Sequence, residues 1–304
     1  MGWLWFDVAL GEGIAMEVLV TGAGGRTGQY IVPALVGVGH RVRFVTRQAQ
    51  YSGPLSQYAE ATAVTADLGD DHDVARAMNG VEAVYHIPPN MNPEEVALGK
   101  RVINAAQAAG VAHFVYHSVL HPQVQGLTHH WNKVFVEEAL IESSLAYTIL
   151  QPTSYMQMIA GDWEGISKRG VHTLAFSSKA KLSLVDLEDV GAAAAKVLGH
   201  AEHFYAIYEL GGPAMLSCED KARVLTDILG HPVRAGQDKL DDFRAKAKAA
   251  GMPAHIMETR ARMFDHYDTN GLAGNGNVLR WLLGRAPNTF DVYVRRELLP
   301  LKST

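Results

Sequence analysis

Through the first half of the chain, short apolar, β-branched runs alternate with segments of helical periodicity. The runs predict strands over residues 17–21 (EVLVT), 41–46 (RVRFVT), 61–65, 83–87 (AVYHI), 113–117 (HFVYH) and 146–150 (AYTIL). Runs that stay largely apolar suit strands covered on both faces of a parallel sheet. Between them the pattern predicts helices over 27–38, 71–78, 93–109 and 129–144. Strand and helix in alternation predict an α/β fold with a Rossmann-type doubly wound parallel sheet. Right-handed crossovers bring the carboxyl ends of all its strands to one edge, where ligands sit in a crevice.

After Pro152 the alternation loosens. Residues 171–175 and 181–185 read as short strands, 187–198 as a helix, 205–210 as a strand, and 217–229 as a helix ended by Gly230. From 238 to 299 the chain reads as largely helical, interrupted by the polar, glycine-rich DTNGLAGNGN at 268–277. The division expected is an N-terminal extension (1–15), a nucleotide-binding domain (16–155), and a smaller, mostly helical substrate lobe or lid (156–304) with elements returning to the core. The extension carries Trp3, Trp5 and Phe6 but no basic region, with Asp7 and Glu12 among its apolar residues, so it is a poor signal peptide. Either its aromatics cover an apolar surface on this chain or a partner, or Met16 is the natural start.

Composition narrows the function classes. With 304 residues, 48% hydrophobic and 19% charged, the chain has enough apolar mass for a sizeable core. A net charge of −5, with no densely basic stretch, argues against nucleic acid as a partner. No apolar run reaches the roughly 20 residues of a membrane helix. A single cysteine, Cys218, allows no internal disulfide and fits a reducing cytoplasm. The histidines number 14, but neither the 117/121 nor the 129/130 pair has the acidic neighbour of a zinc motif, so no metal is expected.

The chemistry begins at the first strand. VLVTGAGGRTG places Gly22, Gly25 and Gly28 directly after a strand and at the start of a helix. Glycines there allow a tight turn and close approach of a pyrophosphate, which the helix N-terminus and its free N–H groups attract. Arg26 and Thr27 belong to the same loop. The second strand ends in Thr46-Arg47-Gln48, with no carboxylate to hold a ribose 2′-hydroxyl. Arg47, helped by Arg26, can clamp a 2′-phosphate instead, so NADP(H) is the cofactor expected. Asp67 and Leu68, after the third strand, are placed at the adenine; Ile87, Pro88 and Pro89, after the fourth, line the nicotinamide side.

The helix after the fifth strand carries His129 and Lys133, four residues apart on one face. At these residues the chain resembles the NmrA-like group of atypical short-chain dehydrogenases/reductases. TGAGGRTG (21–28), YHIPPNM (85–91), HSVLHPQ (117–123), HHWNKVFVEEALIES (129–143) and TILQPTSYMQ (148–157) carry the resemblance. So do SLVDLEDVG (183–191), YELGGPAMLS (208–217) and NVLRWLLGRAPNTF (277–290).

A typical member of the wider superfamily uses Tyr-x-x-x-Lys, the tyrosine moving the proton and the lysine holding the nicotinamide ribose. No lysine here follows a tyrosine at that spacing, and His129 occupies its place. A histidine titrating near neutrality can give or take a proton. The related isoflavone-reductase group also lacks the tyrosine and keeps a lysine at the position of Lys133, which implies a ribose-binding and catalytic role for that residue. Ser118 sits where the superfamily's serine polarises the substrate carbonyl. Pro152 and Thr153 match the segment whose backbone meets the nicotinamide amide, and Tyr155 and Met156 follow as substrate-facing candidates.

The reading that results is an NADPH-dependent reductase of the ketoreductase type. It would pass hydride to a carbonyl or quinone-like carbon of a bulky organic substrate, an aromatic or polyketide ketone being an example. The lobe's Trp163, Phe176, Met252, Met257, Met263, Phe264 and Tyr267 suggest that bulk. Alternatives are a non-catalytic NADP(H)-sensing regulator that binds a protein partner, and a reaction without net redox such as an epimerisation. Monomer and homodimer are both open.

Overall fold

The structure, a computed structural model, describes residues 15–303; Trp3, Trp5 and Phe6 lie outside the described residues. β1 (Glu17–Val20) leads through the glycine loop to α1 (Gly28–Gly37), β2 (Arg41–Thr46) and β3 (Ala61–Thr65). Then α2 (Asp71–Met78) precedes β4 (Ala83–His86), α3 (Glu95–Ala109) precedes β5 (His113–His117), and α4 (Thr128–Ile141) precedes β6 (Tyr147–Pro152). The lobe begins with β7 (Ser154–Tyr155), α5 (Trp163–Arg169), β8 (Val171–Leu174) and β9 (Leu182–Val185). It continues through α6 (Leu187–Val197), β10 (Ala206–Leu210), β11 (Met215–Leu216), α7 (Cys218–Leu229) and β12 (Arg234–Gln237). Helices α8 (Leu240–Ala249), α9 (Ala254–Asn270), α10 (Asn277–Leu283) and α11 (Phe290–Tyr293) follow.

Seven of these strands form one sheet in the order β10-β6-β5-β4-β1-β2-β3, parallel at every pairing. β1 and β4 are neighbours, yet the chain leaves them in opposite directions, which opens a crevice between their carboxyl ends. Alternation along each strand feeds two cores. Val18, Val20, Tyr85, Val115 and Leu150 face α1 and α6, while Leu19, Val84, Phe114, Tyr116 and Ile149 face the helices on the other side. β3, at the edge, is largely exposed.

Two elements that the sequence placed after the domain boundary rejoin this sheet. β10 extends it beside β6, and α6 lies against α1, where a Cβ on Gly191 would stand 2.8 Å from the Tyr30 carbonyl oxygen. Only glycine allows that approach. The helix ends follow local rules: Asp70 caps the start of α2, a Ser217–Asp220 capping box opens α7, and left-handed Gly230 closes it. β12, which no apolar alternation announced, pairs in parallel with β8.

The lobe's core holds Trp163, Phe176 and Tyr267, all buried, with Met263 and Phe264 packed against it. These side chains hold the lobe together, which corrects the expectation that they suggest a bulky ligand. Among the described residues, no helix is long and apolar enough to cross a membrane.

Candidate functional site

The glycine loop closes a turn in which the Gly25 N–H donates to the Gly22 carbonyl at 3.1 Å. Gly22 has φ +66°, and a Cβ there would stand 2.6 Å from the Ile87 carbonyl oxygen. At Gly28 a Cβ would stand 2.3 Å from Ala23, so α1 can start this close to β1 only with glycine. Beneath the loop, the Thr21 hydroxyl accepts from the Ile87 N–H at 3.1 Å and meets His86 Nδ1 at 2.7 Å, tying the ends of β1 and β4 together.

Gly24, Gly25 and Arg26 are exposed, and α1 has neither a side-chain cap nor an acid in its first turn. Its N-terminal N–H groups therefore keep their positive end for an anion. Arg47 is exposed just past β2. This donor set fits a dinucleotide diphosphate with a 2′-phosphate. Arg26 also reaches Met158 Sδ at 2.8 Å, joining the loop to the segment after β7.

Other expected contacts fall at the same edge. Asp67 is exposed and accepts from the Gly69 N–H, while Leu68 packs partly against the core beneath it. Ile87 and Pro88 are buried at the end of β4. The Thr153 hydroxyl donates to the Ser183 carbonyl at 2.8 Å, and its N–H donates to Leu210. Met156 is 2% exposed in the lobe's core, which corrects its expected role as a substrate contact; of that pair only Tyr155 reaches the crevice.

Lys133, on α4, holds its ammonium 2.5 Å from Glu95 Oε1, the carboxylate at the start of α3. One of its three donors is used there, leaving two. Ser118 is buried and donates to Glu137 Oε1, which also accepts from Gln151 Nε2 at 2.9 Å. That hydroxyl points inward, so polarising a substrate carbonyl would require breaking this bond.

Four histidines surround Lys133. His86 and His117 are pushed down to about 3, chiefly by burial and then by the Lys133 charge. His129 is pushed to about 3 by burial, His130 and Lys133, and its Nδ1 is buried with no hydrogen-bond partner. His130 falls to about 4 by burial, against a bond to the His121 carbonyl that favours its charged form. All four are neutral at physiological pH. This corrects the expectation that His129 titrates near neutrality, because desolvation disfavours the imidazolium.

Tyr155, at the end of β7, adds a phenol beside the end of β5. Its hydroxyl lies 2.8 Å from His117 Nε2, and His117 Nδ1 lies 2.8 Å from the Tyr85 hydroxyl. Sequence reasoning passed over Tyr85, His86, Glu95 and Glu137, each of which reads locally as an ordinary strand or helix position. Among the described residues, no group of three or more His, Cys, Asp or Glu could hold a metal ion. A cavity of about 880 Å³ lies elsewhere, along α1 and α6 between Met16 and Arg296. The crevice is identified by the strand crossover and its donors.

Comparison with known proteins agrees with this geometry. Over 275 residues the chain is 28% identical to quinone oxidoreductase 2 of Escherichia coli, covering 90% of this chain and 95% of that protein. It is 26% identical to an NAD(P)H azoreductase of Xenophilus azovorans over 91% of this chain and 96% of the other. The structure of an NADPH-dependent quinone oxidoreductase from Escherichia coli in complex with NADPH superposes with a TM-score of 0.79 at 27% identity. It covers 91% of this chain and 98% of that one. Residues 15–291 match the model of the NmrA-like family, and the chain belongs to that family.

Proposed function

We propose that this protein is an NADPH-dependent reductase that passes hydride to a carbonyl or quinone-like carbon of an organic substrate. The observation that carries the reading is the donor set at the crevice: an uncapped helix N-terminus behind a glycine loop, with exposed Arg47 and no acid at the end of β2. The resemblance to a quinone reductase and an azoreductase supports a redox role.

In this reading the loop N–H groups from Gly22 to Gly28, with Thr27, hold the diphosphate, and Arg47 and Arg26 hold the 2′-phosphate. Asp67 and Leu68 border the adenine; Ile87, Pro88, Pro152 and Thr153 border the nicotinamide. Lys133 turns its two remaining donors to the nicotinamide ribose, with Glu95 fixing the ammonium. The bound cofactor supplies the hydride. Neutral His86, His117 and His129 add no further cation beside the Lys133–Glu95 pair, so the ammonium meets the ribose without competing positive charge from them.

The test is a calorimetric titration with NADPH and NADH, then NADPH consumption with 1,4-naphthoquinone and with an aryl ketone. Tighter binding of NADPH and turnover of either acceptor are expected. NADPH binding with no acceptor reduced would favour the regulator that senses the cofactor.

A further inference from the structure

Tyr155, His117 and Tyr85 form an unbranched chain of hydrogen bonds from the crevice into the sheet. Register explains it: Tyr85 pairs with Val115, and His117, two residues on, faces the same side of the sheet. Tyr85 is fully buried, so no water reaches its hydroxyl, and among the described residues His117 is its one hydrogen-bond partner. Burial and the nearby Tyr155 keep this phenol protonated, and a buried O–H needs an acceptor. Tyr85 therefore donates to His117 Nδ1.

The rest of the chain follows from the donor inventory. A neutral imidazole that accepts at Nδ1 carries its proton on Nε2. That N–H donates to the Tyr155 oxygen, so the Tyr155 proton points away from the sheet toward the glycine loop. There the Thr27 hydroxyl and the Arg26 charge oppose the burial that pushes Tyr155 up to about 12. Tyr155 as a residue is half-buried and packs against the core beside this loop.

We infer that Tyr155 is the proton donor to the substrate oxygen, held in donor orientation by His117 and Tyr85. The inference rests on the reductase reading. As hydride reaches the carbonyl carbon, the π pair moves to oxygen, the Tyr155 O–H bond breaks, and its proton forms the product O–H. The phenolate is held by the His117 Nε2–H and faces Arg26, then takes a proton from water. In sum the substrate gains one hydride and, from solvent, one proton. Tyr155 is the catalytic residue; His117 and Tyr85 are positioning residues.

Two measurements test it. In the cofactor-free protein labelled with ¹⁵N-histidine, NMR should show His117 protonated on Nε2 and bare at Nδ1, and Tyr85→Phe should release it to a tautomer mixture. The signal is assigned by its loss in His117→Gln or, should that variant not fold, by its shift in Tyr155→Phe. A proton on Nδ1 in the unsubstituted protein overturns the orientation. With NADPH and 1,4-naphthoquinone, Tyr155→Phe should keep its melting temperature and NADPH affinity and lose at least about tenfold in kcat, since a lost general acid costs about 10²–10⁴-fold and a quinone needs it least. Full kcat in Tyr155→Phe overturns the donor role. If the unsubstituted protein binds NADPH and reduces no acceptor, the reductase reading falls and the donor role with it, while the tautomer is still measured.

Discussion

Lys133 and Glu95 meet at 2.5 Å with the carboxylate side chain 1% exposed and the lysine side chain 12% exposed. A lysine placed to hold a ribose is thus also the counter-ion of a buried acid. Lys133→Met alone should destabilise the fold by about 3–5 kcal/mol, the scale for stranding a buried charge. Glu95→Gln with Lys133→Met should recover most of that loss but not the NADPH affinity. Urea unfolding of the two single variants and the double gives the coupling energy. Weak NADPH binding in the stable double variant assigns the lysine to the cofactor; full affinity there removes it from the site.

The second prediction concerns the cofactor's phosphate. Arg47→Ala should weaken NADPH binding by about 1–3 kcal/mol, the scale of one charge-assisted contact, and leave NADH nearly unchanged. Calorimetry with both cofactors decides it. An equal loss for both would place Arg47 at the diphosphate or at neither.

Much of this was legible in the sequence, for reasons that differ by element. The central strands announce themselves because burial on both faces demands apolar runs, and the glycine loop because Gly22 and Gly28 face backbone at distances no Cβ tolerates. β12 was not legible: Arg234–Gln237 (RAGQ) is polar and gains its strand geometry from pairing with β8. The titrating groups were the least legible. His129 looked like an acid by its spacing from Lys133, but its pKa depends on burial and on His130, which spacing does not report. Glu95 and Tyr85 gain their roles only from the register that brings them against Lys133 and His117.

Buried histidines of the central strands, His113 at the start of β5 among them, set the acid limit of the fold. His86, His113 and His117 are each pushed down to about 3 from an ordinary value of 6.5, with burial the largest cause. Their folded-state pKa is depressed, so the unfolded chain binds more protons below pH 6.5. Stability should be full above that pH and fall as pH drops from about 6.5 toward 3. Each histidine contributes a slope of up to about 1.4 kcal/mol per pH unit. Urea midpoints between pH 4 and 8 measure this, and His113→Gln, far from the crevice, should flatten the curve by one histidine. A flat profile across that range would mean the rings are protonated in the fold.

The last prediction concerns how the C-terminal segment holds the crevice. Asp186, fully buried at the start of α6, accepts from Arg296 Nη2 at 3.0 and 2.8 Å, from Asn288 Nδ2 at 3.1 Å and from Gln157 Nε2 at 2.7 Å. It also caps α6 through the Glu188 N–H. Gln157 returns its carbonyl to the Leu187 N–H, so one carboxylate joins α6, the C-terminal segment and the strand end that carries Tyr155. Exposed ion pairs contribute about 0–1 kcal/mol, but here the acid is dry and the arginine only 31% exposed. Arg296→Met should therefore cost about 3 kcal/mol in urea unfolding, because it leaves Asp186 charged and short of its main partner. Asp186→Asn should cost less than Arg296→Met, since the neutral amide needs no counter-ion and keeps the size of the side chain. Both variants should loosen Tyr155 through Gln157 and lower turnover more than NADPH affinity, since the hydrogen bonds of Asp186 go to α6, Gln157 and the C-terminal segment and not to the glycine loop itself. A loss under about 1 kcal/mol in Arg296→Met would reduce the clamp to a surface pair.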